Sequence, residues 1–259
     1  MKDNYSKNVV IEILKEIGLE AKKIPSQADV KTPDINAWHE KDKYIIELKV
    51  KSDDLEETKR ERESLKRGEI VGNETPTGPR NRLYAIISDG VEQMKNYDPN
   101  HNIFHIIWLH SSGHNDSLLN MRFHATLFGT QDLFSMQRTD LMTCYYFKES
   151  AFYSHFNELD GAILTYRNKL QLCVNTLSPN YQTFKQSYMY QTLSKGLCDP
   201  EVLREKEGTL IADCNFDRKE ENKIISYLRE KHHLNHLQTI NMKQYSAKVA
   251  LPDKERKKF

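Results

Sequence analysis

The run Tyr44-Ile45-Ile46-Glu47-Leu48-Lys49-Val50 constrains the fold of this chain more than any other segment. Its residues favour strand, and strand side chains alternate between faces, so positions two apart point the same way. Tyr44, Ile46, Leu48 and Val50 therefore make one apolar face, while Glu47 and Lys49 share the other. That pattern fits a half-buried strand carrying a polar site on one face.

Ile35-Asn36-Ala37-Trp38 also reads as strand, and His39 to Lys43 between the two is polar and turn-like. A hairpin is expected. With Lys41 and Asp42 as a two-residue turn, Asn36 would lie opposite Glu47 and Asp34 opposite Lys49. Asp34, Glu47 and Lys49 then share a face, close enough for two carboxylates to bridge one divalent cation. A register shift of one residue would turn Asp34 away and destroy the arrangement.

The ordered set Pro33-Asp34, twelve intervening residues, then Glu47-Leu48-Lys49 resembles the PD-(D/E)-x-K phosphodiesterase superfamily, the restriction endonuclease-like nucleases. The resemblance implies that Asp34, Glu47 and the carbonyl of Leu48 hold Mg2+, with Mn2+ able to substitute, and that Lys49 positions the attacking water. These residue types suit that chemistry, since magnesium is a hard cation that prefers oxygen ligands and keeps several waters. Such an ion neutralises charge on phosphoryl oxygens and lowers the pKa of a bound water.

Downstream, Pro79 to Tyr97 reads as a helix with Leu83, Ile86, Ile87, Met94 and Tyr97 on or near one apolar stripe. Gln93 and Tyr97 are four apart and so share a helix face. A Gln-x-x-x-Tyr helix marks one branch of the same superfamily, which implies that Gln93 and Tyr97 support the lysine and the substrate. Several members also take an acid from the first helix. Here Ser6 to Ile17 is expected to be that helix, with Val10, Ile13, Leu14 and Ile17 as its stripe and Gly18 as its stop. Glu12 is the candidate ligand on it, set against its reading as part of a solvated face.

The expected fold class is α/β: a restriction endonuclease-like core, with a mixed central sheet flanked by helices, and an α/β extension. The core is assigned to residues 1–115, in the order helix, strand, hairpin, helix, strand, with strands at Leu19 to Ile24 and Ile103 to Leu109. Asp53 to Arg67 reads as a charged helix, either a solvated spacer or an arm facing DNA, and Gly72 to Pro79 as a loop. Arg80 and Arg82 follow as phosphate-contact candidates. Residues 116–259 form the extension, possibly continuous with the core and a place for dimer or partner contacts. It holds an expected hairpin around Asn168-Lys169, a strand at Thr209 to Phe216, a helix at Glu220 to Lys231 and a basic tail. Aromatics from Tyr145 to Phe156 fit a core or interface better than base stacking.

At 259 residues with a net charge of +1, the chain has no global positive field, so any electrostatic attraction for nucleic acid must be local. No apolar run is long enough to span a membrane and no signal-peptide core follows Met1, so a cytoplasmic protein without membrane contact is expected. Cys144, Cys173, Cys198 and Cys214 are scattered without a C-x-x-C pair, which argues for reduced, mostly buried thiols. His105 and His110, five apart on a strand, would face opposite ways, which argues against zinc among His101, His105, His110 and His114.

The resemblance implies an enzyme that cuts nucleic acid, in the first place an endonuclease on double-stranded DNA, with defence against foreign DNA as one role. It leaves open a ribonuclease, or a binding or nuclease subunit acting with a helicase-like partner. Double-strand cutting by one site per chain would call for a homodimer.

Overall fold

The structure is a computed structural model, and it describes residues 2–26, 31–52, 55–113, 115–206 and 208–250. The order begins with helix α1 (Lys2–Glu16), strands β1 (Glu20–Lys23), β2 (Ile35–His39) and β3 (Asp42–Ser52), helix α2 (Leu55–Lys66) and strand β4 (Val71–Pro76). Helix α3 (Asn81–Tyr97), strand β5 (Phe104–Ser112), helix α4 (Asp116–Phe128), strands β6 (Gln131–Phe134) and β7 (Met142–Tyr145) and the short helix α5 (Ala151–Ser154) follow. Next come β8 (Gly161–Tyr166), β9 (Lys169–Val174), α6 (Tyr181–Lys185), α7 (Tyr188–Thr192), β10 (Leu197–Cys198) and α8 (Pro200–Leu203). The last elements are β11 (Thr209–Ile211), α9 (Glu221–His232), β12 (Gln238–Ile240) and β13 (Lys243–Lys248).

This is a mixed α/β fold. Its central sheet has seven strands in the order β1-β2-β3-β5-β8-β9-β10, parallel where β3 meets β5 and β5 meets β8, antiparallel at both hairpins. The sheet draws strands from both sides of residue 115, so β5 and β8 are hydrogen-bonded neighbours. Central strand β5 carries a near-continuous apolar run because both of its faces are covered, whereas β3 interrupts its apolar residues with Glu47 and Lys49.

The two faces belong to different cores. Tyr44, Ile46 and Leu48 of β3, Ile106 and Trp108 of β5, and Leu172 of β9 pack under Val10 and Leu14 of α1 and against Phe184 and Met189 of α6 and α7. The alternate residues Ile45, Ile107, Leu109 and Leu164 pack under α3, through Leu83, Ile87, Val91 and Met94, and under α4, through Phe123, Leu127 and Phe128. A second sheet, in the order β11-β7-β6-β12, closes a third core with Ile224 and Leu228 of α9.

Three sequence expectations need correction. The β2–β3 turn is made by Glu40 and Lys41, so Asn36 pairs with Ile45 and Ile35 with Ile46. The register therefore differs by two residues from the expected one; an even shift keeps every side chain on its face. Residues 72 to 79 are not all loop: β4 pairs along its whole length with β13. Its Gly, Asn, Thr and Pro content signals a turn locally, and the strand exists because a partner far along the chain supplies the ladder. The strand expected at Thr209 to Phe216 is confined to Thr209–Ile211. His114 and the basic tail from 251 onward lie outside the described residues.

Candidate active site and nucleic-acid groove

Asp34 stands just before β2, where its amide donates to the Ile46 carbonyl and its carboxylate Oδ2 accepts from the Leu48 amide at 2.8 Å. This ties the carboxylate to the segment that bears Glu47 and Lys49. In a strand the N–H and C=O of one residue point toward the same neighbour, so the Leu48 carbonyl faces the Asp34 side as well. Glu47 is 3% exposed. Its Oε1 lies 2.8 Å from Lys49 Nζ, while its Oε2 is buried without a hydrogen-bond partner.

Burial, first, and then the neighbouring Asp34 charge push the Glu47 carboxyl up to about 7, against the opposing pull of Lys49. A buried carboxylate with an orphan oxygen and a second carboxylate beside it is costly as it stands. A hard divalent cation relieves both costs. The donor set fits one: the Asp34 and Glu47 carboxylates and the Leu48 carbonyl are all oxygen, as Mg2+ or Mn2+ requires.

Two residues at the site escaped the sequence reading. Lys7 of α1 places Nζ 2.6 Å from Asp34 Oδ1, so two lysines balance the two acids. Gly90 of α3 lies against the charged face. A β-carbon there would stand 3.0 Å from Ile107, 3.1 Å from Glu47 and 3.2 Å from Lys49. The legible signal for Gly90 was a glycine in the middle of an otherwise good helix, which costs stability unless close packing requires it. Lys7 left no such signal.

Glu12 is exposed on α1, the helix that covers the Ile46 and Leu48 face of the sheet, and the structure does not bring it to Glu47. Gln93 lies one turn beyond Gly90 and donates through Nε2 to the Asp89 carbonyl at 3.2 Å. Tyr97 ends α3 and is 39% exposed, off the buried stripe of Leu83, Ile87, Gly90, Val91 and Met94. It sits seven residues beyond Gly90, about 10 Å along the helix axis.

Arg80 and Arg82 line a groove of about 610 Å³ at the start of α3. Lys51, on the same face of β3 as Glu47 and Lys49, forms part of its lining, as does Arg122 of α4. An arm made by α2 and the β4–β13 ribbon also lines it, through Thr58, Asn73 and Ser246. Glu61 of α2 fastens that arm, accepting from Asn73 Nδ2 and Lys248 Nζ, each at 2.6 Å. Four cations therefore gather in a groove that meets the site-bearing strand β3 at Lys51, in a chain of net charge +1.

No protein-family model matches this chain, and no curated protein sequence matches it. Among solved structures, a Holliday junction resolvase, Hjc from the archaeal hyperthermophile Archaeoglobus fulgidus, is similar at 14% identity with a TM-score of 0.25. The match covers 40% of this chain and spans 65% of that resolvase chain, just under two thirds. A likeness this loose carries no weight here, and the functional reading rests on the geometry above. No described helix is long and apolar enough to cross a membrane.

Proposed function

We propose that this chain is a metal-dependent phosphodiesterase of the PD-(D/E)-x-K class that cleaves nucleic acid, with double-stranded DNA as substrate and endonucleolytic cutting as its activity. The observation that carries this reading is the buried, unpartnered Glu47 Oε2 beside the Asp34 carboxylate, with Lys49 Nζ 2.8 Å from the other oxygen of Glu47. Such a cluster has a physical reason to exist when it holds a cation. The adjacent groove, with Lys51, Arg80, Arg82 and Arg122, supplies the local positive charge that a phosphate backbone needs.

In this reading Asp34, Glu47 and the Leu48 carbonyl hold Mg2+ or Mn2+, which when bound neutralises the scissile phosphate and acidifies the attacking water. The Leu48 amide fixes the rotamer of Asp34, so the carboxylate is preorganised. Lys49, its side chain 20% exposed, is anchored by Glu47 yet reaches the open side of the site. Its ammonium donates hydrogen bonds to the incoming water and to the phosphoryl oxygen on which charge develops. Water oxygen bonds to phosphorus, the ester bond on the opposite side breaks, and the leaving oxygen takes up a proton. Gln93 and Tyr97, on the same helix as Gly90, support the substrate side.

The test is cleavage of circular DNA, linear DNA and RNA by wild type and Lys49→Ala, each with Mg2+, Mn2+ or EDTA. Metal-dependent nicking or linearisation of the circle, lost in the variant, is the expected outcome. Undiminished cutting by Lys49→Ala would remove this site from consideration; cutting of RNA alone would reassign the substrate.

A further inference from the structure

A second group of metal-capable side chains lies away from the β2–β3 hairpin, and the proposed nuclease activity has no use for it. His124 of α4, Cys173 of β9 and Cys198 of β10 bring one ligand atom each within 4.8 Å of one another. Cys173 and Cys198 are directly paired residues on adjacent parallel strands, so their side chains leave the sheet on the same face. Both cysteines are buried and free. His124 descends onto them from the helix layer, with Nε2 3.3 Å from Cys198 Sγ. The Tyr145 hydroxyl stands 3.7 Å from the same sulfur, and Phe128 packs edge-on against the Tyr145 ring.

We propose that His124, Cys173 and Cys198 form a structural zinc site that fastens β10 and α4 to the central sheet. Two thiolates and an imidazole are the soft and borderline donors that zinc selects over magnesium. Zinc–sulfur and zinc–nitrogen bonds of ordinary length separate tetrahedral S and N ligands by about 3.5 Å, close to the His124–Cys198 distance of 3.3 Å. Charge also balances: one Zn2+ with two thiolates and a neutral imidazole is neutral, which makes burial among Phe128, Tyr145 and Ile211 acceptable. Tetrahedral zinc takes a fourth ligand, and the Tyr145 hydroxyl stands beside the cluster, 3.7 Å from Cys198 Sγ. The fold has a use for the ion at this place, since β10 is an edge strand held to the sheet by only two paired residues, Leu197 and Cys198.

The sequence hides the site because its ligands are 49 and 25 residues apart, outside any finger or knuckle spacing. Oxygen ligation at Asp34 and Glu47 is a separate chemistry, so the two sites can be read independently.

The test uses the full chain purified under reducing, chelator-free conditions. Elemental analysis should find about one zinc per chain, and anaerobic replacement by Co2+ should give an intense sulfur-to-cobalt charge-transfer band. That band should fall by half or more in Cys198→Ser, Cys173→Ser and His124→Ala, and stay unchanged in Cys214→Ser and Asp34→Asn. Should the cysteine variants fail to fold, mercurial titration of wild type should release the zinc in step with thiol modification, equally in Cys214→Ser. Absence of the charge-transfer band while both thiols are titratable would overturn the site. So would a Cys173–Cys198 disulfide in the reduced preparation.

Discussion

On one face of β3, Tyr44, Ile46 and Leu48 are buried beneath α1, whereas on the other only Ile45 is apolar and Glu47, Lys49 and Lys51 follow it. The first face meets its helix through filled side-chain space. The second meets α3 at Gly90, where the helix yields room to Glu47 and Lys49. One strand thus carries two tasks on alternate residues: the apolar face supplies stability, and the charged face spends some of it. Glu47, buried beside Asp34 with an orphan oxygen, is where that cost is concentrated.

Substitutions separate the two faces. Trp108→Ala, a truncation in the apolar layer at a fully buried residue, should cost about 3–5 kcal/mol in chemical denaturation while the remaining folded fraction still cleaves. Lys49→Ala should do the opposite: cleavage falls by about 10²–10³-fold, and the unfolding midpoint stays near that of wild type. If Lys49→Ala unfolds the protein, the division between the faces is wrong.

Glu47→Gln gives the next effect, and it depends on pH. A carboxyl whose pKa is raised on folding binds its proton more tightly in the folded state. Its contribution is complete below the unfolded value and is lost as the pH rises through the folded value, about 7. Metal-free wild type should therefore lose up to about 3 kcal/mol between about pH 4.5 and pH 8 relative to Glu47→Gln. Several histidines titrate across the same range, so the quantity to measure is the difference between the two proteins' thermal unfolding curves. Equal pH dependence in both would show that Glu47 is not the strained group.

Smaller again, Gly90→Ala should destabilise by about 1–3 kcal/mol through overpacking against Ile107, Glu47 and Lys49, and should lower cleavage more than binding. Arg82→Ala, at an exposed residue of the groove, should leave stability unchanged and reduce the salt dependence of DNA binding by about one counterion. A neutral result for Gly90→Ala would mean that α3 is free to move away from the charged face.

Much of this was legible because it is local. A period of two placed Glu47 and Lys49 on one face and Tyr44, Ile46 and Leu48 on the other, and a period near 3.6 located α1 and α3. The β8–β9 hairpin followed from turn chemistry, with its turn at Arg167-Asn168 instead of the expected Asn168-Lys169. The β2–β3 register did not, because Glu40-Lys41 and Lys41-Asp42 are both acceptable turns and parity alone cannot choose between offsets of two. That difference moves the partner of Asp34 along the strand without removing it from the face.

The sequence by itself determined which side chains share a face, where the helices run, and that hard oxygen donors stand beside a lysine, since each depends on neighbours a few residues away. Tertiary structure decided which distant segments meet: Lys7 on Asp34, Gly90 against Glu47, β13 along β4, and His124 over Cys173 and Cys198. The physical reason is that local periodicity fixes the direction of a side chain but not its partner. Partners are set by how sheets and helices close around the cores, at separations where the chain's local preferences carry no information.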